Sequence, residues 1–123
     1  MPHTFRIDGE AGLLTEAFTG LLDAEMLANI NAAIRAHPAF RAKLDFLTDL
    51  RGVEFSSSFG FREMWEHARI LPGLRVARQA FVVQSEVAYG MARMFIALAE
   101  STGEYEDIRI FTTIEEAMRW LKS

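Results

Sequence analysis

Apolar residues along this chain change from a two-residue to a three-to-four-residue period and back, and each change predicts an element. Phe5 and Ile7 alternate with polar neighbours, Gly9 and Gly12 bracket a turn, and residues 13–18 resume an extended pattern that Gly20 closes. This reads as an N-terminal β-hairpin. From Asp23, a candidate N-cap, Met26, Leu27, Ile30, Ala33 and Ile34 recur at helical spacing until His37-Pro38 stops them. Residues 44–50 are strand-like, and after the serines at 56–58 a helical face of Phe61, Met64, Trp65 and Ala68 runs to the breaker Pro72-Gly73.

Residues 78–84 hold the run Ala80-Phe81-Val82-Val83, too short for a helix and rich in strand formers, as a central strand covered on both faces requires. Val87, Met91, Met94, Phe95 and Leu98 mark a long helix ending near Gly103. Residues 108–111 form the last strand. Thr113 and Glu116 then make a capping box, with Ile114, Ala117, Met118 and Leu121 facing inward on the closing helix. The order β-β-α-β-α-β-α-β-α predicts an α/β layer fold: about five strands, mostly parallel with an antiparallel N-terminal hairpin, and about four helices.

Composition narrows the function more than the fold. A chain of 123 residues, 50% apolar and 24% charged, fits one globular domain over its full length, 1–123. A net charge of −4 gives no basic field for a phosphate backbone, so nucleic acid is not an expected partner. There is no cysteine, hence no disulfide, no thiolate nucleophile and no thiolate metal site. The opening MPHTFRIDGE lacks the basic and apolar regions of a signal peptide, and the longest apolar stretch, 88–99, is interrupted by Arg93 and too short to cross a bilayer. A cytoplasmic protein without a membrane span is expected.

Residues 47–61, LTDLRGVEFSSSFGF, carry the densest signal. They read as a buried strand ending in a polar turn, followed by a helix that starts at the serines. Asp49, Leu50, Gly52, Val53, Phe55, Ser58 and Gly60 resemble the signature of STAS domains, the anti-sigma-factor antagonists and their relatives, in which a strand ending Asp-Leu-x-Gly-Val-x-Phe precedes Asp-Ser-Ser-Gly-Leu. Ser57 stands where that signature has Asp, and Phe59 where it has the second Ser. TDLRGV, YGMARMF and IEEAMRWL are more similar to the SpoIIAA-like, STAS/SEC14-related branch. The resemblance implies a mixed, mostly parallel sheet, and it places a phosphorylation or partner switch on Ser58, with Ser57 and Ser56 beside it.

From the residues themselves, hydroxyls at a helix start can equally be plain caps. Asp49, Gln84, Ser85 and Thr112 fall at the C-terminal ends of predicted strands, where open α/β sheets bind ligands. Asp49, Arg51 and Ser85 are therefore candidates for a ligand or anion, although Asp49 with Arg51 also fits a local ion pair; Tyr89 and Arg93, one turn apart on a predicted helix, could hold an anion together, or Arg93 could pair with Glu86 beside a packed tyrosine. Phe55, Phe59, Phe61, Met64 and Trp65 cannot all face the sheet, so they predict an interface, an apolar pocket, or a core with a lid. His3, His37 and His67 are scattered, and Glu63 with His67 reads as a surface pair, so no metal and no cofactor is expected. Neither a nucleophile elbow nor a phosphate loop is present. The expectation is a non-enzymatic regulatory or protein-interaction module, a homodimer with a possible regulatory protein partner; the alternative is a carrier or sensor for a small apolar or lipid-like ligand.

Overall fold

The structure, a computed structural model, describes residues 3–70, 75–102 and 106–123, with backbone alone for residues 67–70. Strands β1 (His3–Asp8), β2 (Leu13–Leu22), β3 (Asp45–Phe55), β4 (Arg78–Val82) and β5 (Asp107–Phe111) form one sheet in sequence order. β1 runs antiparallel to β2, and every later pairing is parallel. Helices α1 (Ala24–Ala36), α2 (Phe61–Ile70), α3 (Glu86–Glu100) and α4 (Ile114–Leu121) supply the crossovers and the C-terminal element. This is the mixed α/β sheet that the alternating periods predict.

Each face of the sheet has its own core. On one, Leu14, Phe46, Leu50 and Phe81 meet Leu27, Ile30 and Ile34 of α1, Met64 of α2, and Ala92 and Phe95 of α3. On the other, Leu47, Ala80 and Val82 meet Ala117 and Leu121 of α4. β4 is buried on both faces, which explains its unbroken apolar run. α4 packs on β3, β4 and β5, and beside it the same face of β1 and β2 lies open as a groove of about 760 Å³ lined by Arg6, Asp8, Leu13, Met118 and Lys122.

Caps fix the helix starts. Asp23, Ser85 and Thr113 accept the backbone N–H of Met26, Ala88 and Glu116 respectively, and Thr113 also bonds the Glu116 carboxylate at 2.9 Å. Thr113 thus caps α4 as expected, but Glu116 closes on the Thr113 hydroxyl rather than on its backbone N–H, so only the first half of the expected capping box forms. α4 is held at its other end by Arg78, whose guanidinium donates to the carbonyls of Trp120 and Leu121, stands 3.6 Å from Asp45 and lies over the Trp120 ring.

Four expectations need revision. Gly20 does not end β2: it sits inside the strand at φ 76°, which glycine adopts without a Cβ clash, and pairing continues to Leu22. β3 runs to Phe55 rather than stopping near Leu50. Ala33 and Val87 are exposed, and Asn31 takes the buried α1 position. α3 ends at Glu100 with Ser101 as its cap. The stop at Pro72-Gly73 and the cap at Gly103 lie outside the described residues, as do the side chains of His67 and Ala68.

Candidate functional site

β4 ends opposite Asp49, so beyond that point β3 pairs only with β2 and the two strands project past the rest of the sheet. A bulge opens this projection. Between Ala17 and Thr19 β2 advances two residues while β3 advances three, from Asp49 to Gly52. The extra residue reverses the alternation: Phe46, Thr48 and Leu50 face the three-helix core before it, Val53 and Phe55 after it. The Asp49 carboxylate accepts the Arg51 backbone N–H at 3.0 Å and its guanidinium at 3.0 and 2.9 Å. Asp49 and Arg51 are thus joined to each other and brace the bulge.

The electrostatics at this clamp have a clear direction. Partial burial pulls the Asp49 pKa upward, but the hydrogen bonds from the Arg51 side chain and backbone, with its charge, outweigh that and hold the carboxyl below its ordinary range.

The projection delivers the chain into the serine turn. Ser56 N–H donates to the Leu22 carbonyl at 2.9 Å, Phe59 N–H to the Ser56 carbonyl at 2.9 Å, and Ser58 N–H to Ser56 Oγ at 3.2 Å. The Ser56 and Ser58 hydroxyls are 2.9 Å apart, and Ser57 and Ser58 are exposed. The serines do not start the helix. The Gly60 carbonyl accepts the first helical bond, from Met64, and Glu63 reaches back to the Gly60 N–H at 2.7 Å. With Glu63 supplying that cap, the serine hydroxyls satisfy the turn instead of α2, and Ser58 is not an N-cap.

The aromatic set divides around this turn. Phe59 and Met64 are buried, Phe55 is half-buried with its ring 5.7 Å from that of Phe59, and Trp65 is half-buried. Phe61 is 63% exposed, and Leu21, on the β2 side of the projection, is 60% exposed. Beneath the turn Phe18, Leu27, Phe55, Phe59, Met64 and Phe95 are among the residues around an apolar cavity of about 50 Å³. That is room for a water or two, far below the roughly 300–1,000 Å³ of ligand pockets.

A second feature lies at the ends of β4 and β5, where Gln84, Ser85, Tyr89 and Thr112 line an open crevice of about 570 Å³. Ser85 also caps α3, and Arg93 lies over the Tyr89 ring, 5.9 Å from its centroid. Asp49 does not line this crevice, so the strand-end candidates fall into two separate places. Among the described residues no group of three His, Asp or Glu side chains could hold a metal ion.

A buried polar row crosses the sheet beneath the three helices, and sequence reasoning missed it. His3 Nε2 is 2.9 Å from Glu16 Oε1, Thr48 donates to Glu16 Oε2 at 2.8 Å, and Gln79 Nε2 donates to Thr48 Oγ1 at 3.1 Å. Glu16, Thr48 and Gln79 are all buried. The direction of the row is fixed from one end: a carboxylate only accepts, so Thr48 gives its proton to Glu16 and must accept from the Gln79 amide. Among the described residues Gln79 Oε1 is left buried without a partner. The signal was parity, since Glu16 stands between Leu14 and Phe18 on the inward phase of β2.

The model of one protein family, described as SpoIIAA-like, matches residues 13–122. Among solved structures, the fold is similar to that of an uncharacterized protein from the DUF3478 family with a SpoIIAA-like fold, from Shewanella loihica. The two share 15% identity at a TM-score of 0.62, over 97% of this chain and 91% of the other. None of the curated proteins matches. Among the described residues no helix is long and apolar enough to cross a membrane.

Proposed function

Since the chain belongs to the SpoIIAA-like family, we propose that it is a non-enzymatic regulatory module of the STAS type. On this reading it docks a protein partner with the serine turn, the projecting ends of β2 and β3, and the start of α2. One observation carries it: the exposed Ser57 and Ser58 lead directly into α2, whose first residue, Phe61, is a large apolar side chain left in water, and Leu21 at the projecting end of β2 is exposed as well. An exposed aromatic side chain next along the chain to small polar groups suits a protein interface. A phosphate on Ser58 would add close to two negative charges at the middle of that surface and so oppose or recruit a partner according to the partner's charge. The carrier reading draws no support from the interior, where the apolar cavity is only about 50 Å³.

Native mass spectrometry of the protein purified gently from its host tests the proposal. The expected spectrum contains a complex with a second protein that is lost in Phe61→Asp and altered by Ser58→Glu. A lipid-sized or metabolite-sized adduct on the wild-type chain, unaffected by Phe61→Asp, would instead establish a carrier.

A further inference from the structure

Beyond that docking surface, we propose that a second copy of this chain pairs antiparallel with the outer edge of β1, about a two-fold axis beside Ile7, so that Arg6 of each copy meets Asp8 of the other.

β1 ends the sheet, so its outer backbone groups have no neighbouring strand among the described residues, and its sequence HTFRID contains no proline. Such an edge is a template for another strand. Geometry limits how a copy can add. Directly opposed residues in an antiparallel pair share a face, and a two-fold axis through the sheet preserves faces, so the axis must pass beside a residue rather than between two.

Four registers centre within the strand. Centring on Thr4 or Phe5 brings no opposite charges together, since the latter opposes Thr4 to Arg6 and His3 to Ile7. Centring on Arg6 sets two guanidiniums side by side. Centring on Ile7 opposes Arg6 to Asp8 twice and faces the half-buried Ile7 side chains toward each other. Opposite charges directly across a strand pair stabilise it and like charges destabilise it, so the Ile7 register is selected.

Neither charge meets an opposite one among the described residues. Arg and Asp stand two residues apart in three strands: Arg51 meets Asp49 at 2.9 Å and Arg109 meets Asp107 at 3.3 Å, whereas Arg6 has no hydrogen bond or ion pair among the described residues. Asp8 uses Oδ1 to accept the N–H groups of Glu10 and Ala11 in the hairpin turn. The other sheet edge, β5, differs in that Arg109 is held by Asp107 and lies over Trp120, 5.0 Å from the ring centroid. Arg6 and Asp8 line the open groove, on the part of that face which α4 leaves uncovered. Ile7 pairs with Leu14, at the start of β2, while the serine turn is bonded through Ser56 N–H to Leu22 at the other end of β2, so a dimer built here leaves the turn free.

Because the chain has no cysteine, single thiols report the register directly. Under mild oxidation Ile7→Cys is expected to form a disulfide-linked dimer, with Thr4→Cys and Arg6→Cys giving little. By sedimentation, Arg6→Asp and Asp8→Arg should each weaken self-association roughly tenfold or more. Mixed in equal amounts, they should reassociate as a heterodimer, since each then supplies the charge the other lacks. A wild-type chain that stays monomeric at all concentrations overturns the proposal. So does a dimer that Ile7→Cys fails to link, or one linked preferentially through Thr4→Cys or Arg6→Cys.

Discussion

The two faces of the sheet solve burial differently. Under α1, α2 and α3 the sheet presents large apolar side chains interrupted by a row of hydrogen-bonded polar ones, from His3 through Glu16 and Thr48 to Gln79. Under α4 it presents Leu47, Ala80 and Val82 with no such row among the described residues, and polar contact is moved to the rim, where Arg78 holds the end of the helix. A buried polar row ties the register of four strands together but leaves every member dependent on its neighbours. A rim clamp acts on one helix end and stays within reach of water. The difference teaches where each face should fail.

The largest effect is expected on the three-helix face. Glu16→Ala strands both His3 and Thr48 and should cost about 3 kcal/mol or more, read from urea unfolding. Glu16→Gln, which keeps an acceptor, should cost less. If Glu16→Ala proves as mild as a surface change, the row does not hold that face. Next, Arg78→Ala removes the donors to the last carbonyls of α4 and should cost about 2 kcal/mol, with a change in Trp120 emission as its ring keeps the Arg109 guanidinium but loses that of Arg78.

These elements were legible to unequal degrees. The strand and helix order came through because period changes are local: the 78–84 run and the Thr113–Glu116 box each mean one thing wherever they occur. The bulge at Leu50 and Arg51 did not, since the two-against-three advance exists only relative to β2, a partner thirty residues away along the chain. From spacing the strand therefore read as ending near Leu50 although it runs to Phe55, and the serines were placed at a helix start that Gly60 and Glu63 occupy. The polar row was missed although parity puts Glu16 on the inward phase of β2, because its partner Thr48 stands beside it only once β2 and β3 are paired. At the candidate site the exposure of Phe61 and the burial of Phe59 could not be separated from spacing, because the turn between them sets which way each ring points.

Smaller effects belong to the projecting strands. Asp49 has its pKa depressed in the folded chain, so its stabilisation is fully present above the ordinary aspartate value of about 3.9 and is lost as pH falls through the lower folded value. Arg51→Gln should raise the Asp49 pKa, seen by NMR titration of its carboxyl, and bring the acid limb of unfolding to higher pH. No change in that titration would mean that the clamp is not what depresses it. Smallest of all, Ser58→Ala should alter stability by no more than about 0.5 kcal/mol, because both Ser56 and Ser58 hydroxyls are open to water. A larger loss would make the turn a structural element rather than a docking one.

The docking surface itself is tested most directly by placing a photo-crosslinking residue at Ser57 or Phe61, and for contrast at the exposed Asn29 of α1, in the chain expressed in its own host. The account expects one discrete covalent protein adduct from the first two positions, its yield clearly changed by Ser58→Glu, and none from the third. Equal labelling at all three positions, or an adduct confined to Asn29, would contradict it.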